Sequence, residues 1–200
     1  MQISYLSDEK IKKIANDFRA EFWGNSIPVE MEDIIELKLK IDIVQSIGLK
    51  YFHGIDMLIK SDFKSIYVDN NNYLDDTQKN RLRYSYAHEI GHFVLHKDIY
   101  KKFGIKNEED LCAAQEKKSY QKNIKRIDRQ AEIFAGHLLI PEERLRLERN
   151  QILESLNTKL LSKIKSVSKE TLNQLLASQL SIIFGVSYMA MFIALDRIKT

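Results

Sequence analysis

In the first third of the chain, the spacing of apolar residues is first that of helices and then that of β-strands. Ser7, followed by Asp8 and Glu9, has the pattern of an N-cap with acidic residues in the first turn, which predicts a helix to about Trp23. Pro28, followed by further acidic residues, predicts the start of a second helix. Short β-rich runs then predict three strands, the last two joined as a hairpin: residues 41–44, 56–59 and 65–68.

The rest of the chain has the spacing of amphipathic helices. After a polar turn at residues 70–72, Asp76 or Thr77 is expected to begin a long helix through about His96. Another helix is expected from about Asn123 to Ile140. The polar, net basic stretch between them, residues 97–126, is either a solvated insertion or a lid or dock for an acidic partner.

Residues 171–195 carry no charged side chain and are numerous enough to cross a bilayer. Polar residues interrupt this stretch, however, and Gly185 with Ser187 breaks it midway. The pattern therefore favours two packed helices over a membrane span.

The order of predicted elements is two helices, three strands and then helices only, which indicates an α+β fold with a small three-stranded sheet. We expect residues 1–145 to form the main domain. We expect residues 146–200 to form a helical region, with a helix-turn-helix-like arrangement, that packs on the same domain.

Composition excludes several classes of protein. Apolar residues make up 44% and charged residues 30% of the chain, and there are only 7 Gly and 2 Pro, which excludes a disordered or linker-rich chain. The single cysteine, Cys112, excludes an intramolecular disulfide and favours a reducing compartment. The N-terminus lacks the apolar run of a secretory signal, which agrees with an intracellular setting. The net charge of +3 is too small to indicate a nucleic-acid partner.

The residues that carry most information are His88-Glu89-Ile90-Gly91-His92, an HExxH motif inside the predicted long helix. Residues four apart on a helix differ by about 40° in direction and about 6 Å in height, so His88 and His92 present imidazoles on one side and can share a Zn²⁺ ion. Zinc lowers the pKa of a water molecule and polarises a scissile carbonyl, and Glu89 can accept the proton of that water. The motif therefore indicates metal-assisted hydrolysis.

Two histidines rarely hold zinc alone, so a third ligand is expected. His96 continues the spacing but lies about 12 Å along an unbroken helix from His88, and we expect it to face the helix dipole instead. Better candidates lie on the later helix, where Asp128 and Glu132 share a face and the small Ala131 and Ala135 allow close approach. His137 points away from that face.

Together, these segments resemble the ImmA/IrrE family of metallo-endopeptidases. The resemblance rests on the helix around His88-Glu89-Ile90-Gly91-His92, on the second motif from Asp128 to Ala135 with Leu138-Leu139-Ile140-Pro141 after it, and on Phe184-Gly185-Val186-Ser187 near the end. It implies a zincin-like fold, a zinc cofactor and a cytoplasmic enzyme, often carried on phages or mobile elements, that cleaves or inactivates a helix-turn-helix repressor.

The chain departs from the family pattern at one position, because the second motif usually begins with Glu and here begins with Asp128. An Asp side chain is one methylene shorter, so either the helix lies closer to the metal or the metal site is looser. We take His88, His92 and Asp128 as the metal ligands and Glu89 as the general base. Glu132 is the alternative ligand, and the acid that does not bind the metal is expected to hydrogen-bond a ligand histidine.

Three functions remain open at this point. The first is a zinc endopeptidase, whose oxyanion-stabilising residue is one of the candidates Tyr84, Tyr86 and Tyr120. The second is a non-proteolytic module that sequesters a repressor and uses zinc as structural glue. The third is a DNA-binding regulator, which the absence of basic residues from Tyr188 to Leu195 makes the weakest.

The hairpin between Asp56 and Val68 is expected to leave one strand edge open beside the metal helix, where a substrate can add as a further strand. The alternative is that residues 97–126 cover this edge as a lid.

Overall fold

The structure is a computed structural model that describes residues 5–103, 110, 118–155 and 168–198. Its helices are α1 (Asp8–Phe22), α2 (Leu49–His53), α3 (Asn70–Leu74), α4 (Lys79–Leu95), α5 (Lys97–Phe103), α6 (Lys118–Leu139), α7 (Glu142–Ser155), α8 (Lys169–Phe184) and α9 (Tyr188–Arg197). A π-helical segment covers Asp33–Lys38, and a 3₁₀ turn covers Asp76–Gln78. The strands are β1 (Asp42–Ser46), β2 (Met57–Ile59) and β3 (Ser65–Asp69).

The sheet is mixed, with the strand order β1-β3-β2. Strand β2 runs antiparallel to β3 in the predicted hairpin, with Leu58 opposite Tyr67, whereas β1 runs parallel to β3, with Val44 opposite the same residue. Strand β2 is thus an edge strand, and it is the one that packs against α4. The prediction of an α+β fold with a small three-stranded sheet is confirmed.

Local hydrogen bonds explain where several elements begin. The side chain of Ser7 accepts from the backbone N–H of Lys10, as expected of the N-cap of α1. The predicted polar turn at residues 70–72 is wrong, because α3 starts there. Asp69, a buried residue at the end of β3, caps α3 by accepting from the N–H groups of Asn71 and Asn72. A cap can therefore turn an Asn-rich segment into a short helix.

Helix α6 lies between α1 and α4 and forms the centre of the apolar core. Phe134 of α6 contacts Phe18 of α1 edge to face, with ring centroids 5.8 Å apart. The buried guanidinium of Arg19 donates to the carbonyl of Leu138 at 2.8 Å, which fixes α1 against the end of α6. Helices α1 and α6 are consequently held in a fixed relative position.

The uncharged C-terminal stretch forms α8 and α9, with axes that bend by 115° at the break. Gly185 adopts a left-handed φ of 61° there, and Ser187 caps α9 by accepting from the N–H of Ala190. The Arg83 side chain of α4 donates to the carbonyl of Gly185 at 2.6 Å. Among the described helices none is by itself long and apolar enough to cross a membrane, although this bent pair passes the test of length and composition together.

Candidate metal centre

Helix α4 places the histidines of the motif side by side. The Nε2 atoms of His88 and His92 are 3.0 Å apart, and the two rings meet edge to face. This proximity is the expected result of a four-residue spacing on an unbroken helix. Both rings thus direct a nitrogen to the same point.

Helix α6 brings a carboxylate to that point. Oδ1 of Asp128 lies 3.5 Å from Nε2 of His92, and one ligand atom from each of His88, His92 and Asp128 lies within 4.8 Å of the others. Ligands about 2.0–2.1 Å from a tetrahedral zinc ion are about 3.3 Å from one another, so the separations of 3.0 Å and 3.5 Å from Nε2 of His92 fit such an ion. Two imidazoles and a carboxylate also match the donor types that zinc prefers.

Glu132, the alternative ligand, lies outside this group of three. Its carboxylate pairs with Arg129 at 3.3 Å, and about half of its side chain is exposed. It forms no hydrogen bond to a ligand histidine among the described contacts. His137 also lies outside the group, on the part of α6 near Glu142.

Glu89 is held in place by the edge strand. Its Oε2 accepts a hydrogen bond from the backbone N–H of Ile59 at 2.9 Å, and only 8% of the residue is exposed. Burial raises the pKa of Glu89 to about 8, the negative charge of Asp128 adds to that rise, and the hydrogen bond from Ile59 opposes it. A glutamate in this environment is a much stronger base than an exposed one.

The two histidines are neutral at pH 7. Burial, together with the neighbouring His92, lowers the pKa of His88 to about 4, and burial, together with the neighbouring His96, lowers the pKa of His92 well below its usual range. Burial raises the pKa of Asp128, whereas the histidines oppose that rise. Neutral imidazoles keep a lone pair for a metal, and the half-buried carboxylate of Asp128 gains from a nearby cation.

His96 is the C-cap residue of α4, and its ring is enclosed. The residue is 1% exposed, its Nδ1 lies 3.2 Å from Nδ1 of His92, and its Nε2 lies 2.8 Å from Oε1 of Gln130. His96 thus lies at the C-terminal end of the helix as expected, and α6 covers this end of α4 and encloses the ring. Sequence reasoning did not single out Gln130, and a glutamine two residues from Asp128 carries no signal of this role.

The tyrosines proposed for oxyanion stabilisation differ in their surroundings. The hydroxyl of Tyr84 donates to the backbone carbonyl of Glu132 at 3.1 Å. Tyr86 is buried, and its hydroxyl has no hydrogen-bond partner among the described residues. The side chain of Tyr120 lies outside the described part of α6. Among the described contacts, neither the Tyr84 nor the Tyr86 hydroxyl bonds to His88, His92 or Asp128.

The basic stretch at residues 97–126 begins as a helix that packs beside the site. In α5 the ring of Tyr100 lies 5.0 Å from that of His92 and 5.7 Å from that of Phe63. The ammonium group of Lys97 lies 4.7 Å from the ring centroid of Phe93. The predicted insertion or lid falls largely on residues 104–109 and 111–117, which lie outside the described residues.

Comparison with known proteins agrees with this architecture. The family model Peptidase_M78, described as the IrrE N-terminal-like domain, matches residues 45–191. That range contains β2 and β3, the motif on α4, the acid on α6, the whole of α8 and the start of α9. A search of curated proteins finds no match. The chain belongs to the Peptidase_M78 family of IrrE N-terminal-like domains, which confirms the resemblance drawn from its motifs.

Proposed function

We propose that the protein is a zinc-dependent endopeptidase that acts on a specific intracellular protein. The observation that carries this proposal is the convergence of His88, His92 and Asp128 beside a buried glutamate, within a chain of the Peptidase_M78 family. His88, His92 and Asp128 are the proposed ligands of the ion. Glu132, which is paired with Arg129, is the less favoured ligand.

A bound zinc ion supplies Lewis acidity that polarises a peptide carbonyl and lowers the pKa of water. Glu89 acts as general base and then as general acid: it takes a proton from the attacking water and delivers it to the nitrogen of the departing amine. The oxygen of that water becomes part of the new carboxyl group as the C–N bond breaks. The pKa of about 8 belongs to the metal-free site, and a bound cation would lower it by favouring the carboxylate, which is the form that accepts the proton.

The edge of β2 is the proposed site for the substrate backbone. The N–H of Lys60 donates to the carbonyl of Ser65, and the N–H of Asp69 donates to the carbonyl of Asp56. The backbone groups of Asp56 and Lys60 therefore face β3, inside the hairpin. Along an antiparallel strand, residues whose N–H and C=O groups bond to the partner strand alternate with residues whose groups point away from it. The backbone groups of Met57 and Ile59 therefore face the open edge of the sheet. Because the N–H of Ile59 already contacts Glu89, a peptide added along this edge lies beside the catalytic group.

The proposed substrate is a helix-turn-helix repressor, and a cytoplasmic location and a mobile-element or phage origin accompany that proposal. The support is the ImmA/IrrE resemblance together with the family match. A direct role in DNA binding is disfavoured, because α9 has one basic residue, Arg197, at its last position.

The test uses the purified full chain with a candidate repressor and measures peptide-bond cleavage by mass spectrometry. Glu89→Gln keeps the acceptor for the Ile59 N–H and removes the proton-accepting carboxylate. We expect this variant to bind zinc and to lose cleavage. If it still inactivates the repressor, the protein is the alternative, a zinc-containing module that sequesters its partner, and the endopeptidase proposal is overturned.

A further inference from the structure

A chain of buried hydrogen-bonding groups runs from His92 to the neighbouring helix. Nδ1 of His92 lies 3.2 Å from Nδ1 of His96, and Nε2 of His96 lies 2.8 Å from Oε1 of Gln130. All three side chains are almost wholly enclosed, with 2%, 1% and 4% exposure respectively. Water therefore has little access to replace any member of the chain.

The glutamine determines the direction of this chain. An amide oxygen has lone pairs and no proton, so Nε2 of His96 must carry the hydrogen that lies between it and Gln130. A neutral imidazole has one N–H and one lone pair, so Nδ1 of His96 is then an acceptor. The hydrogen between the two rings consequently belongs to Nδ1 of His92.

The remaining nitrogen of His92 is the one that faces His88 and Asp128. Since Nδ1 of His92 holds the proton, its Nε2 holds a lone pair directed at the point where the three donors meet. The opposite arrangement puts a proton on Nε2 of His92, and that proton blocks coordination. With the amide oxygen of Gln130 toward the ring, it also brings two lone pairs face to face between His96 and Gln130, at a cost comparable to a lost buried hydrogen bond.

We propose that Gln130 and His96 are positioning residues that hold His92 in the tautomer able to bind a metal through Nε2. This inference rests on the proposed metal site, and it adds to that site a function for two residues that do not contact the ion. Neighbours of this kind fix ring orientation and tautomer in metal centres generally.

The arrangement also links the two helices that supply the ligands. Gln130 lies on α6 only two residues after Asp128, so the helix that supplies the carboxylate also sets the tautomer of the histidine opposite. A displacement of α6 therefore affects the third ligand and the proton on His92 together.

The first test requires no substitution. In the metal-free full chain labelled with ¹⁵N-histidine, long-range ¹H–¹⁵N correlation spectra at pH 7 report which nitrogen of each ring carries the proton. We expect opposite tautomers, with the proton on Nδ1 in His92 and on Nε2 in His96. Finding the proton on Nδ1 of His96, or on Nε2 of His92, overturns the inference.

The second test measures zinc affinity by competition with a chromophoric chelator. Gln130→Met keeps the length of the side chain and removes the acceptor, so zinc affinity should fall by about 10–100-fold, the usual effect of losing such a neighbour. Gln130→Glu retains an acceptor oxygen and should keep the wild-type tautomers and most of the affinity. Gln174→Met, the same substitution at an exposed position of α8, is the matched control and should change neither quantity.

The two proposals fail in distinguishable ways. A wild-type chain that binds no zinc contradicts the proposed function. Wild-type zinc binding that Gln130→Met leaves unchanged contradicts only the role of the His96–Gln130 pair. If Gln130→Met lowers affinity but leaves both tautomers as in the wild type, the pair acts on structure alone and the inference is also overturned.

Discussion

Gly91 and Ala131 are the point where α4 and α6 touch backbone to backbone. A Cβ atom built on Gly91 would lie 3.0 Å from the Cα and 3.1 Å from the carbonyl oxygen of Ala131. The glycine of the motif thus allows an approach that a larger residue prevents. One turn before Ala131, the short side chain of Asp128 reaches the histidines across this narrow gap. An aspartate in place of the family's usual glutamate requires either a helix closer to the metal or a looser metal site. The Gly91–Ala131 contact supports the closer helix.

The first prediction concerns this contact. Gly91→Ala places a methyl group against backbone atoms of α6, which cannot rotate away, so the helices must separate by a few tenths of an ångström. We expect weaker zinc binding. We also expect overpacking to lower the free energy of unfolding by about 1–3 kcal/mol. The better helix propensity of alanine raises it by about 0.5–1 kcal/mol, which offsets that loss only partly. Zinc competition and urea unfolding measure the two effects.

Gly136→Ala is the matched control for that variant. It lies on α6, and a Cβ there would come no closer than 3.5 Å to another atom, at the end of the flexible Arg197 side chain. This substitution should keep zinc affinity and slightly raise the free energy of unfolding. Equal behaviour of the two alanine variants would contradict the role of the Gly91–Ala131 contact.

The second prediction separates the two candidate acids. Asp128→Ala removes a proposed ligand, whereas Glu132→Ala removes a half-exposed carboxylate that pairs with Arg129. Zinc affinity should therefore fall far more in Asp128→Ala than in Glu132→Ala, by direct titration against a competing chelator. The reverse order would transfer the ligand role to Glu132.

The third prediction concerns the metal itself. The purified protein should contain about one zinc ion per chain, and His92→Ala should abolish its binding, because two remaining ligands rarely hold zinc. Metal analysis after dialysis measures the stoichiometry, and circular dichroism establishes that the variant remains helical. A metal-free native protein with unchanged fold would contradict the assignment.

The fourth prediction concerns pH and Glu89 in the metal-free protein. The folded-state pKa is about 8 against an ordinary value of 4.5, so between these pH values the folded state holds a proton that the unfolded state releases. The free energy of unfolding contributed by this group therefore falls as pH rises through that window, by up to about 1.4 kcal/mol per pH unit.

Glu89→Gln lacks this proton and keeps an acceptor for the N–H of Ile59. The metal-free variant should gain stability relative to the metal-free wild type as pH rises from 5 to 8, in urea unfolding at each pH. A difference between the two proteins that stays constant over this range would show that burial does not raise the pKa of Glu89.

Local sequence determined the features that depend only on neighbours along the chain. Ser7 caps α1, Gly185 and Ser187 divide the C-terminal stretch, and the four-residue spacing of His88 and His92 brings their rings together. These features follow from helix geometry and capping, which operate over a few residues. The hairpin of β2 and β3 belongs to the same class.

Tertiary structure decided what depends on residues far apart in the chain. The parallel pairing of β1 with β3, the bond from Ile59 to Glu89, and the enclosure of His96 by Gln130 have no signature in spacing or composition. The choice of Asp128 over Glu132 beside the histidines is similar, because both share a helical face. The position of α6 against α4 decides between them, and that position follows from packing at Gly91 and Ala131.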